Sequence, residues 1–175
     1  MALDRLVFQS PWPESAYVQE LYFNQNAHYF VLELLDPTLN KSWFDHRRRK
    51  SARLLGFVGM RVEGERGHIS TLALRQEWRG QQLGEILFLV ALNHALRDGA
   101  KVVGLEVRVS NEIAQALYIK HGFEARSRLR RYYADGEDAY YMQVGVEDDR
   151  DFRRCIETQL ADLSTERGIE TVDKD

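Results

Sequence analysis

The chain has 175 residues, 44% of them hydrophobic, which is enough for one sizeable core and therefore for a single domain. Its 24 basic and 27 acidic residues are well mixed and leave a net charge of -3, so there is no electrostatic footprint for nucleic acid or an acidic membrane surface. One cysteine, Cys155, excludes an intrachain disulfide and a cysteine-built zinc site, and no apolar run forms a signal-peptide core or approaches the roughly 18 residues of a membrane span, so a cytoplasmic setting is expected.

Residues 2–8 read as the end of a helix broken at Ser10-Pro11-Trp12-Pro13. Glu14 to about Asn24 reads as a second short helix with Tyr17, Leu21 and Tyr22 on one face. His28 to Leu35 is rich in aromatic and branched residues, as strands are, and Asp36-Pro37 ends it. A polar loop over 36–50 carries the basic run His46-Arg47-Arg48-Arg49-Lys50, whose side chains are expected in solvent. Strands at about 53–62 and 67–74, joined by Glu63-Gly64-Glu65-Arg66-Gly67, complete an antiparallel meander.

The period then changes. Leu83, Ile86, Leu87, Val90, Ala91 and Ala95 recur at three- and four-residue steps, which predicts a helix over 81–97 stopped by Asp98-Gly99. Lys101 to Val109 reads as a strand, Asn111 to His121 as a short helix closed by Gly122, and 123–133 with 138–146 as a hairpin around Asp135-Gly136. Beyond Val146 the run Glu147-Asp148-Asp149-Arg150-Asp151 opens an acidic extension, 147–175, expected to be partly helical or disordered, with a possible helix at 151–163. The order of elements over 1–146 makes an α+β fold, a mixed, mostly antiparallel sheet flanked by helices. Only the strands either side of the long helix are expected to run parallel, because only that connection is long enough for a crossover.

The densest chemical signal is Leu72-Ala73-Leu74-Arg75-Gln76-Glu77-Trp78-Arg79-Gly80-Gln81-Gln82-Leu83-Gly84. A strand runs into a glycine-containing turn that opens a long helix, and such a turn aims unpaired backbone N–H groups at one spot, suiting a pyrophosphate. Turns of this kind are common and many bind nothing, so the turn alone does not decide. The five histidines, His28, His46, His68, His94 and His121, show no metal-ligand spacing with nearby acids or the cysteine, and no metal is assigned to them.

The turn resembles motif A of the GNAT acetyltransferases, Gln/Arg-x-x-Gly-x-Gly/Ala. Arg79, Leu83 and Gly84 stand in place, and Gln82 stands where the family usually has its first motif glycine. At positive φ a glutamine costs about 1 kcal/mol of strain; a helical Gln82, which is the conformation expected here, keeps its N–H at little cost. Two further blocks are similar to the RimI group of that family: Leu105-Glu106-Val107-Arg108-Val109-Ser110-Asn111 with Ala116-Leu117-Tyr118 and His121-Gly122-Phe123, then Arg130-Arg131-Tyr132-Tyr133 with Asp135-Gly136-Glu137-Asp138-Ala139. The likeness covers roughly 1–146.

The resemblance implies the GNAT fold and acetyl-CoA as co-substrate, with no metal. It implies that the coenzyme lies along Leu72, Ala73 and Leu74, over the turn of Arg79, Gly80, Gln81, Gln82, Leu83, Gly84 and Glu85, and against Asn111. It makes Glu106 the general base and Tyr118 the general acid, and sets Tyr132, Tyr133, Glu137 and Asp138 at the peptide entrance. From the residues alone, Glu106 reads equally as a solvent-facing strand glutamate, Tyr118 as a core ring, Asn111 as a helix cap and the two acids as solvated turn residues. A protein N-terminus is the implied acceptor, and in the RimI group it belongs to a ribosomal protein. An α-amino group with a pKa of about 8 also needs less help to become neutral than a lysine at about 10.4. A small-molecule amine or a lysine side chain is the alternative acceptor, and a non-catalytic acyl-CoA-binding protein the alternative class. The family's first strand has no counterpart ahead of Ala2-Leu3-Asp4-Arg5-Leu6, so the sheet is expected to lack that strand unless the start codon is misassigned.

Overall fold

A computed structural model of the chain describes residues 3, 7, 13–34, 53–146 and 150–170. The basic run at 46–50 and most of the first twelve residues, with the expectation about the chain's start, lie outside the described residues. Among the described residues no helix is long and apolar enough to cross a membrane.

The first helix, α1 (Glu14–Val18), passes into a π-helical turn over Gln19–Phe23 and leads to β1 (Ala27–Leu34). β2 (Arg53–Glu63) and β3 (Arg66–Leu74) follow, then α2 (Leu83–Arg97), β4 (Val102–Arg108), α3 (Glu112–Lys120), β5 (Glu124–Leu129), β6 (Ala139–Gly145) and α4 (Arg150–Arg167). The six strands form one sheet in the order β1-β2-β3-β4-β6-β5, antiparallel throughout except for β3 with β4. The parallel pair is the one α2 connects, as the loop lengths require.

The core forms where α2 crosses the sheet. Phe88, Leu89, Ala91, Leu92 and Ala95 are fully buried against Val58, Val103 and Leu105 from the strands beneath. Val90, which the apolar period assigns to the inner face, is only half-buried, whereas Phe88 and Leu89 are sealed. The buried face is wider than the period suggests because Phe88 packs on Tyr118, His121 and Phe123, and because α4 packs on α2 and inserts Ile156, 2% exposed, into the same core. A smaller apolar cluster of Leu3, Tyr17, Phe57 and Ala73 covers the opposite face of the sheet.

The path of α4 matters for the site. Val146 donates its N–H to the Lys101 carbonyl at 2.7 Å, so β6 hands the chain over at the end of the sheet where β4 begins and α2 ends. From there α4 runs back along α2 for 18 residues, about 27 Å at the helical rise, and its last residue, Arg167, meets Gln82 at the start of α2. Gly168 at φ 62 and the Ile169 N–H to Ser164 carbonyl bond of 2.8 Å close the helix as a left-handed C-terminal cap. The acidic extension thus carries a helix longer than the 151–163 the sequence suggests.

Candidate active site

The site begins where the sheet opens. β3 and β4 pair over only four positions, Arg66 with Val102 through Ile69 with Leu105. A bulge next to Gly59 on β2 leaves Ser70 as the extra residue of β3. Such a bulge increases local twist and turns a strand away from its neighbour. Beyond Ile69 and Leu105 the two strands separate, and Glu106 is the first residue of β4 past the last pair, its neighbour Val107 facing the core. A wedge therefore opens between the two strands, and Leu72, Ala73 and Leu74 form its β3 wall.

Glu106 is held by two partners. Its Oε2 lies 3.2 Å from Nε2 of His68, and the Tyr132 phenol hydrogen-bonds to it. Burial first, and the Glu106 carboxylate second, raise the Tyr132 pKa, so the phenol stays protonated and donates to that carboxylate. The His68 and Glu106 side chains are 22% and 17% exposed, near enough to solvent for a substrate or a water to reach them. Across the β4–β6 ladder Tyr141 faces Glu106, and its ring lies over Gly104, where an added Cβ would stand 2.5 Å from the hydroxyl. The sequence could not reveal His68 or Tyr141 as neighbours of Glu106, because strand pairing alone brings them together.

Tyr118 is on α3, 8% exposed, with its ring against Phe88 at 5.2 Å. Burial, assisted by the nearby Tyr133, pushes its pKa well above the ordinary phenol value. It is therefore fully protonated, a secure hydrogen-bond donor and a reluctant proton releaser. Asn111 caps α3, accepting the Ala114 N–H at 3.2 Å, and Gln115 ties the same corner by donating to the Arg108 and Val109 carbonyls at 2.9 Å each.

The turn before α2 carries the second half of the site. Gly80 has φ 74, and a Cβ there would meet nothing within 4 Å. Gly84 lies inside the helix, where glycine costs about 1 kcal/mol relative to alanine, yet the nearest atom to an added Cβ is Leu74 Cδ2 at 4.0 Å. Among the described residues nothing demands glycine at 84, and the space beside it is open. The N-terminus of α2 has no side-chain cap, and its first-turn N–H groups have no intrahelical partner. Arg79, with Nε donating to the Leu74 carbonyl at 3.4 Å, and Arg167, hydrogen-bonded to Gln82, flank the turn. This donor set of outward N–H groups between two guanidinium groups fits a diphosphate.

One expectation needs correction. Gln82 is not helical but left-handed, with φ 61 and ψ 3, so the costlier of its two conformations is the real one, and its side chain is held by Arg167. The Glu85 carboxylate is taken up by Lys120 at 2.7 Å and His121 at 2.9 Å. Burial alone would raise the Glu85 pKa, but these two partners outweigh it and hold the carboxyl below its ordinary value. The charge of Glu85 is thus answered within the chain, which leaves its backbone N–H as the group it could offer at the turn.

Glu137 and Asp138 are likewise engaged by partners within the chain. Glu137 accepts the Ser110 N–H at 2.9 Å and Arg108 Nη1 at 2.6 Å, while Asp138 accepts Arg128 Nε at 2.7 Å and the Arg131 N–H at 2.8 Å. They shape the 130–138 loop, and Arg108 stacks over Tyr133, 3.9 Å from its ring centre. Hydrogen bonds from Ser110 and then Arg108 lower the Glu137 pKa to about 2. A depressed folded-state pKa means the stabilisation is complete above the unfolded value and is lost as pH falls through about 2. In a carbon-detected NMR titration the Glu137 carboxyl should show a midpoint near 2 that moves up in Arg108→Ala; a midpoint of 4 or more in the native protein would contradict the bonding described.

The family model for the acetyltransferase (GNAT) family matches residues 2–123. The chain belongs to that family. This GNAT chain is accordingly an acetyl-CoA-dependent N-acetyltransferase. It is 36% identical over 140 residues to a Bacillus subtilis protein inferred to be a ribosomal protein bS18-alanine N-acetyltransferase, covering 79% of this chain and 82% of that one. A Sulfurisphaera tokodaii N-alpha-acetyltransferase is 42% identical over 154 residues, 80% of this chain and 81% of that one. The GNAT fold is also that of the crystal structure of the ribosomal-protein-S18-alanine N-acetyltransferase from Escherichia coli, with a TM-score of 0.66, 23% identity and coverage of 83% and 84%.

Proposed function

We propose that this enzyme transfers the acetyl group of acetyl-CoA to the α-amino group of a protein N-terminus, with a ribosomal protein as the acceptor class. The observation that carries the reading is the end of the β3–β4 ladder at Ile69 and Leu105, which puts Glu106 at the mouth of a wedge whose other end is the glycine turn. The two sequence relatives described above are N-terminal acetyltransferases by name, which supports the same acceptor chemistry.

In this reading the N–H groups at 80–85, with Arg79 and Arg167, hold the diphosphate, and the backbone of 70–74 runs beside the pantetheine arm. Acetyl-CoA, when bound, supplies the thioester carbon that the amine attacks. Glu106 accepts the ammonium proton, directly or through one water, while His68 and Tyr132 fix the carboxylate. A backbone N–H of the β3 wall donates to the developing oxyanion. Tyr118 donates a hydrogen bond to the departing thiolate. Because its pKa lies well above that of an ordinary thiol, it stabilises the thiolate by that bond rather than by surrendering its proton outright.

Two outcomes follow. Tyr118→Phe keeps the buried ring, and steady-state kinetics should show turnover lowered about tenfold, the loss of one charge-assisted hydrogen bond, with little change in coenzyme binding. Arg167→Ala removes a guanidinium from the turn but nothing from the chemistry, so KM for acetyl-CoA should rise roughly three- to tenfold with kcat unchanged. The acceptor is tested by intact-mass spectrometry after incubation with alanine-initiated peptides, lysine peptides with blocked N-termini, and polyamines. Transfer to the first alone is expected; transfer only to polyamines would rule out a protein N-terminus as acceptor.

A further inference from the structure

Away from the coenzyme turn, at the far end of α2, three metal-ligating side chains converge. His28 stands on β1, an outer strand of the described sheet. His94 lies in the last turn of α2, and Asp98 is its C-cap, four residues on and therefore on the same helix face. Nε2 of His94 is 3.3 Å from Oδ2 of Asp98, and Nε2 of His28 is 3.6 Å from the same oxygen. All three ligand atoms fall within 4.8 Å of one another.

These spacings have a chemical meaning. Imidazole nitrogen and carboxylate oxygen bind zinc at about 2.0–2.2 Å, so neighbouring ligands at tetrahedral angles stand about 3.3–3.6 Å apart. Both observed separations lie in that interval, and both exceed the usual N–H···O length of about 2.9 Å. The rings are also fixed in place. His28 and His94 meet edge to face at 4.3 Å, Phe30 packs on His94 at 5.1 Å, and the Asp98 N–H donates to the His94 carbonyl at 3.0 Å. The side chains are 35%, 30% and 37% exposed, and because Nε2 of His94 is itself buried, an ion enters past His28 and Asp98, where water can also bind.

We propose that His28, His94 and Asp98 form a binding site for a zinc-class divalent ion, with two imidazoles and one carboxylate as protein ligands and water in the fourth position, clamping β1 to the end of α2. Two nitrogen donors and a single carboxylate favour zinc or a late first-row ion over magnesium or calcium, which require oxygen-rich shells. The site sits about 22 Å along α2 from the coenzyme turn, one helix length, so it acts on the architecture and not on the transfer step. It stands whether or not the proposed acceptor is correct. The sequence hides it because 66 positions separate His28 from His94.

The test uses the untagged full chain, stripped with a chelator and titrated with zinc chloride in a calorimeter. One ion per chain should bind, with micromolar affinity or tighter, and raise the melting temperature. His28→Gln and Asp98→Asn should each weaken binding at least tenfold, whereas His68→Gln and Cys155→Ser should leave it unchanged. Cobalt substitution of the native protein provides a readout independent of variant folding, since a tetrahedral nitrogen-oxygen site gives intense visible d–d bands with no thiolate charge transfer. Absence of stoichiometric zinc binding, octahedral cobalt bands, or binding that survives both ligand variants would overturn the proposal.

Discussion

Replacing Glu106 by Gln should lower kcat by about tenfold to a hundredfold while acetyl-CoA binds as before. The amide keeps the size of the side chain and can still meet Tyr132 and His68, so the wedge is preserved and only the proton acceptor is lost. General-base catalysis contributes roughly two to four orders of magnitude. The lower end applies here because an α-amino group with a pKa of about 8 is already partly neutral near physiological pH. The pH profile sharpens the test. In the variant the rate should climb in proportion to the free amine up to about pH 8, whereas the native enzyme, which collects the proton itself, should show a shallower dependence. Unchanged turnover, or a tenfold loss of coenzyme affinity, would remove Glu106 from this role.

The second large effect concerns stability. Phe88 is fully buried and its ring is surrounded by Tyr118 at 5.2 Å, His121 at 5.4 Å and Phe123 at 5.5 Å. It thus joins α2, which opens at the glycine turn, to α3, which carries Tyr118. Phe88→Ala removes a large apolar surface and leaves a cavity that these rigid rings cannot fill, which costs about 3–5 kcal/mol. For a chain of this size the melting temperature should fall by roughly 10 °C. Turnover at permissive temperature should fall as well, because Tyr118 loses the ring against which it is set. A destabilisation below about 1 kcal/mol would mean that the helices hold their places without it.

Much of this was legible in the sequence because local periodicity carried it. The three- and four-residue steps from Leu83 to Ala95 marked α2 to within two residues, and Asp98-Gly99 marked its end. The crossover length told which strands run parallel. What stayed hidden depends on contacts between residues far apart in the chain. Gln82 looked helical, but the chain must turn before α2 begins, and it does so through a left-handed glutamine that Arg167 braces from 85 positions away. The pairing of the 130–138 loop acids with Arg108 and Arg128 was equally hidden, because those partners lie on other strands. The composition of 147–175 pointed to a polar extension, and only Ile156 and the C-terminal cap show why a helix there docks on α2. His68 and Glu106, and His28 with Asp98, are pairs made by the sheet and by helix packing rather than by spacing.

A ligand bearing a diphosphate should lie over the turn at 79–84 and extend into the gap between β3 and β4. Amide NMR during titration with coenzyme A tests it most directly. The account predicts saturable shifts concentrated at Gly80 to Glu85, at Ser70 to Leu74 and around Asn111, with residues at the far end of α2 unmoved. A protein whose amides stay still at saturating coenzyme, or whose shifts gather elsewhere on the sheet, would contradict it.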